Sequence, residues 1–218
     1  MKKQFYTFAI MMQNFGILFE NLKNNAEIAR EMAEYGYGDT EVEAGKALYD
    51  KVVALHRSNQ MSSKNETDTY ADFDKKYKAV TSVFMKDRKK GKIAFQDDEP
   101  NLRTLRLKAL ESKSIAALVE DMKHFYGTLD QDETLRDALL SLKIDGQHVK
   151  SQLEAVLQAE KAYAVYQNAK GESQQATKDK NQAVTELEKW ARKMYNVAKI
   201  ALENKPQLLE SLAKLVRG

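Results

Sequence analysis

Asp121 and His124 stand three residues apart, a spacing that puts a carboxylate and an imidazole on one face of a helix. Metal centres in ferritin-like bundles use such a pair twice, with glutamate, together with two further inward carboxylates. The sequence supplies no second copy, because the matching part of the first half reads Asn14-Phe15. Metal binding through Asp121 and His124 is therefore only an alternative. The expected reading is a surface histidine beside a buried Met122 and Phe125. Of the other two histidines, His56 closes an apolar stripe and reads as a partly buried packing residue. His148 falls in the first turn of a helix, where the positive end of the dipole should disfavour its charged form.

The stretch from Lys86 to Lys92 holds five basic residues and one acidic one. Lys86, Arg88, Lys89, Lys90 and Lys92 form a candidate anion-binding segment for nucleic-acid phosphates or an acidic lipid surface. A groove for single strands also needs exposed aromatics among the charges, and the nearby Phe84 and Phe95 read as core. Gly91 weakens a helix by about 1 kcal/mol relative to alanine, so the run reads first as a solvated, frayed helix end.

Other chemistry is absent by composition. The chain has no cysteine, which excludes disulfides, thiolate nucleophiles, iron–sulfur clusters and cysteine zinc sites. It contains no Gly-x-Ser-x-Gly, no phosphate-cradling glycine loop, no Rossmann glycine pattern and no His-Glu-x-x-His. No catalytic residue and no cofactor is assigned, and the chain reads as non-enzymatic. Lack of cysteine fits a reducing compartment, so the expected location is cytoplasmic.

The elements that would position these residues are helices. The 218 residues include only nine glycines and two prolines, too few for the frequent turns of a sandwich or barrel. Charged residues make up 31%, with 35 basic against 32 acidic giving a net charge of +3. Mixed charge at that density marks long solvated helices, and the near balance argues against nucleic acid as a whole-domain partner. No apolar run reaches membrane-spanning length. The start, Met1-Lys2-Lys3 followed by Phe8 to Met12, superficially resembles a leader. Gln13 and Asn14 cut its apolar run and no small-residue cleavage site follows, so it reads as the first turns of a helix.

Apolar residues recur in steps of three and four. Phe8, Met12, Phe15, Phe19, Leu22, Ala26, Ala29 and Ala33 predict one long helix. Ile115 to Leu129, Tyr70 to Phe84 and Ala183 to Ala201 repeat the pattern, and shorter stripes surround Val52 and Leu153. Breaks are expected at Tyr35 to Thr40, where Asp39 or Thr40 would cap the next helix, and at Ile144-Asp145-Gly146. Two more polar turns are expected at Ser62 to Thr67 and at Gly171 to Ser173. Pro100 and Pro206 each open a short helix.

Lys92-Ile93-Ala94-Phe95 aligns with Lys199-Ile200-Ala201-Leu202, and the prolines follow within one residue of register. The expectation is an all-α, elongated antiparallel bundle of about six long helices. It would be built from two tandem repeats, 1–106 and 107–218, with one shared core or two. Met11 and Met12 make the first helix apolar on more than one face, which points to a central position or to contact with another chain. The expected function is a helical scaffold or protein-interaction module that self-associates or meets a protein partner through helix faces.

Glu34-Tyr35-Gly36-Tyr37, Gly45 to Tyr49, and the closing Ala198 to Glu203 with Pro206-Gln207-Leu208-Leu209-Glu210 are similar to a family of uncharacterised bacterial all-helical proteins. The resemblance covers nearly the whole chain. It implies the duplicated helical layout and transfers no activity, ligand or site. The sequence departs from that family at Lys86 to Lys92, where relatives carry a mostly apolar helix end.

Overall fold

The structure, a computed structural model, describes residues 7–108 and 114–212. Every regular element among them is helical and no strand occurs. In chain order they are α1 (Phe8–Asn24), α2 (Ala26–Glu34), α3 (Asp39–Ala94), α4 (Glu99–Thr104), α5 (Ile115–Gln131), α6 (Glu133–Asp137), α7 (Gly146–Ala201) and α8 (Pro206–Ser211). A single 3₁₀ turn, Leu140–Leu142, precedes α7. The leader-like Met1-Lys2-Lys3 lies outside the described residues.

Where the helices differ from the expected pattern, local chemistry explains it. The predicted first helix is two helices. Asn25 leaves helical geometry and its side chain accepts from the backbone amides of Glu27 and Ile28, capping α2. The core then takes Phe15, Leu18, Phe19 and Leu22 from α1 and Ile28 and Met32 from α2, in place of the three alanines. Asp39 and Thr40 do not cap α3 but occupy its first turn, where the Asp39 carboxylate complements the dipole.

The polar stretches at 62–67 and 171–173 are not turns. They lie inside α3 and α7, each an unbroken helix of 56 residues, so about six long helices become two of 56 residues and two of 17. Serine, asparagine and threonine cost a helix only a few tenths of a kcal/mol each. Thr67 and Thr69 satisfy their hydroxyls on the carbonyls of Ser63 and Asn65 within the same helix. Ser173 is itself buried.

The chain divides into two compact units that run across the tandem division. Of the described residues, the first comprises 7–62 with 173–212, and the second 63–108 with 114–172. In the first unit, α1, α2 and the start of α3 enclose Trp190, Met194 and Leu187 from the end of α7. The α3 and α7 segments there run antiparallel: Lys51 pairs with Glu186 and Asn59 donates to Thr177. In the second unit, the end of α3, α4, α5, α6 and the start of α7 surround Phe84, Phe125, Tyr126 and Leu129. Antiparallel pairing recurs within it, with Phe73 against Tyr163 and Tyr70 against Tyr166.

The α-helices α5, α6, α7 and α8 begin 107 residues after α1, α2, α3 and α4: 115 against 8, 133 against 26, 146 against 39 and 206 against 99. Capping residues keep the interval, as in Thr7 and Ser114 or Asn25 and Asp132. So do the left-handed residues Gly36 (φ 85°) and Lys143 (φ 61°). Each is followed by an amide that bonds back to the closing turn, Tyr37 to Met32 and Ile144 to Leu139.

Candidate functional site

The basic run lies inside α3, and a helix shows one face to solvent and one to the core. Lys86, Lys89 and Lys92 are exposed. Arg88 and Lys90 turn inward and are used there. Arg88 donates to the carbonyl of Leu107 at 2.8 Å, and Lys90 to Asp87 at 3.2 Å. Burial pushes the Arg88 guanidinium below its ordinary value, with nearby Asp121 opposing the shift. The helix end is not frayed. Gly91 is buried because Leu107 and Phe125 press on it, and a Cβ there would sit 3.1 Å from a Leu107 methyl. Phe84 and Phe95 are core residues.

Asp121 and His124 share a face of α5 but do not converge on a ligand. The His124 Nε2 lies 2.7 Å from the carbonyl of Thr104, and Asp121 is buried opposite Arg106 at 3.5 Å. Together with Arg88, these contacts tie α5 and the end of α3 to the turn after α4. No group of three metal-ligating side chains occurs among the described residues. His56 packs as expected, its ring 4.0 Å from that of Phe8. A surface depression lined by Leu22, Ala29, Ala33, Tyr37, Gly38, Asp39 and Val42 brings together no set of reactive groups.

The polar centre that does form is built on Asp87 and Tyr126, neither of them a candidate residue, with Lys90 from the basic run and His148 beside them. Asp87 is 1% exposed. Its Oδ2 accepts from the Tyr126 hydroxyl at 3.0 Å and lies 2.6 Å from His148 Nε2, and its Oδ1 accepts from Lys90. The residues come from the end of α3, the middle of α5 and the first turn of α7. Asp145 holds that turn by capping the His148 amide at 2.7 Å. The sequence carried one signal for Asp87. Phe73, Tyr77, Val80 and Phe84 step by four, three and four, and position 87 is the next on that inward stripe.

A buried carboxylate is tolerated only when its lone pairs are used, and here three donors use them. Burial, then the charge of Asp87 and the bond to it, hold the Tyr126 phenol well above its ordinary pKa of 10.0. The unfolded chain releases that proton near pH 10 and the folded chain keeps it. Stability is therefore expected to be unaffected below pH 10 and to fall above it by about 1.4 kcal/mol per pH unit. Urea melts between pH 9 and 11 check this, and Tyr126→Phe should reduce the loss.

The first unit has its own polar contact in a different place. Trp190 donates from Nε1 to Glu41 at 3.0 Å, stacks on Phe19 with ring centroids 5.3 Å apart, and lies directly over Gly45. A Cβ at position 45 would overlap the indole carbons.

Set against protein-family models, curated proteins and solved structures, the chain matches none of them. No described helix is long and apolar enough to cross a membrane.

Proposed function

We propose that the protein is a cytoplasmic, non-enzymatic helical scaffold made of two copies of one helical unit, which meets its partners or itself through helix faces. The two-copy layout is also what the family resemblance implies. The observation that carries the copy reading is the shared interval of 107 between starts, caps and left-handed residues (115 against 8, 143 against 36). Buried side chains keep it as well: Phe15 and Met122, Leu22 and Leu129, Ile28 and Leu135, Phe95 and Leu202, Leu105 and Leu212. In support of a scaffold, the donors of the polar centre are committed to Asp87, and the long helices present extended charged faces.

Exposed Ile10 and Ile17 lie seven residues apart on α1 and are the contact this reading favours for self-association. Light scattering after size exclusion is expected to give a multiple of the 24.9 kDa chain mass. Ile10→Glu with Ile17→Glu should return it to the single-chain mass. A single-chain mass for the unmodified protein at tens of micromolar would contradict self-association.

The exposure of Lys86, Lys89 and Lys92 on one side of α3 favours a second reading, anion binding. The inward Arg88 and Lys90 would take no part in it. Sedimentation with acidic-lipid vesicles or with RNA at low salt should then be abolished by Lys86→Glu with Lys89→Glu at unchanged helical content. No binding by the unmodified chain at low salt ends that reading.

A further inference from the structure

Residues 7–108 form a first series of helices and 114–212 a second, and each compact unit takes its long-helix segments from both. In the first unit, the opening of the first series (α1, α2, the start of α3) receives the end of α7 with α8. In the second unit, the opening of the second series (α5, α6, the start of α7) receives the end of α3 with α4. Two equivalent series would in principle complete each other like with like. The side chains at equivalent positions decide whether they do.

We infer that the two polar contacts are pairing locks, which make each series accept the other and reject a second copy of itself. The inference rests on the two-copy reading above. In a first-with-first pair, Asp87 would meet the counterparts of Tyr126 and His148, which are Phe19 and Glu41 (126 and 148 less 107). Its buried carboxylate would keep only Lys90, lose two of its three donors and gain a like charge, and taking partners from a buried charged set is strongly destabilising. Gly45 would face Val83, the counterpart of Trp190, and a void would replace the indole.

In a second-with-second pair, Trp190 would meet Gln152 in the place of Gly45, where not even a Cβ fits. The Tyr126 hydroxyl would face Met194, the counterpart of Asp87, and lose its acceptor. Both mismatches vanish only when the first series pairs with the second. The Met194 position shows that the same place in the fold is filled without polar atoms in the other unit. The Asp87 set therefore acts in partner choice, the best-attested use of buried polar groups.

The test uses the whole protein with a protease site placed in residues 109–113, cut after folding. The two pieces are expected to stay together at the mass of the intact chain. After unfolding in urea and dilution, native mass spectrometry should find first-with-second pairs in large excess. Asp87→Met should raise first-with-first pairs by at least about tenfold, the effect of 1.4 kcal/mol of relieved mismatch. Gly45→Gln, which blocks Trp190 without touching Asp87, should lower first-with-second pairs by a similar factor. Statistical pairing in the unmodified protein, or pairing unchanged by both variants, overturns the locks and leaves the two-copy reading standing. Pieces that part on cutting, or that never re-pair, overturn the locks as well, since neither series then accepts the other.

Discussion

Asp87→Ala is expected to destabilise the protein by about 3 kcal/mol, read from urea unfolding followed by circular dichroism. Removing one partner of a buried charged set typically costs roughly 3–5 kcal/mol. The lower end applies here because Lys90 and His148 both reach solvent, with side chains 35% and 26% exposed. The cost falls mainly on the Tyr126 hydroxyl, left without an acceptor in a fully buried position. Asp87→Met combined with Tyr126→Phe recreates the Met194 and Phe19 of the first unit and removes both halves of the problem. It should cost less than Asp87→Ala alone, on the order of 1 kcal/mol. If the apolar pair is as damaging as the alanine, the polar set is needed for folding itself and not for partner choice.

Gly45→Ala is expected to destabilise by about 1 kcal/mol, against the direction helix propensity dictates. Alanine gains about 1 kcal/mol over glycine inside a helix. At position 45 that gain is overwhelmed because the new methyl would overlap Trp190, whose ring is fixed by Phe19 and by the bond to Glu41. Overpacking a filled core costs about 1–3 kcal/mol in itself. Gly171 is the control. It lies inside α7, and a methyl added there would meet nothing within 4 Å, so Gly171→Ala should stabilise by about 0.5–1 kcal/mol. Thermal melts of the two variants beside the unmodified protein give opposite shifts if this packing is right. A Gly45→Ala melt at or above that of the parent contradicts it.

Local signals in the sequence were reliable where the chemistry is local. The stripe through Met122, Phe125 and Leu129 is buried as its spacing implies. Asp145 caps α7, and proline opens α8 at its first position. Asn25 was also legible in principle, since asparagine is among the strongest caps, but the apolar spacing runs on through it and hides the break. The polar stretches at 62–67 and 171–173 misled for the opposite reason. Turn-forming residues are only weakly unfavourable in a helix, and in long helices packed against each other that cost is overridden.

The site was the least legible part. Asp87 sits among five cations and looks like one more surface charge. Its meaning comes from Tyr126 and His148, 39 and 61 residues away. Glycine at 45 looks like a defect in a helix until Trp190, 145 positions later (190 against 45), is placed over it. Pairings at such separations leave no periodic trace. The inward step from Phe84 to position 87 was the one local sign.

Each compact unit draws on both halves of the chain, and amide hydrogen exchange on Asp87→Ala is the sharpest check of that division. Loss of protection should spread through residues 63–94 and 115–172, which surround Asp87 in the second unit, and should spare 8–62 and 173–212. Loss confined to residues 8–106, with 115–212 unchanged, would mean that the first half folds as a body of its own and would contradict the division.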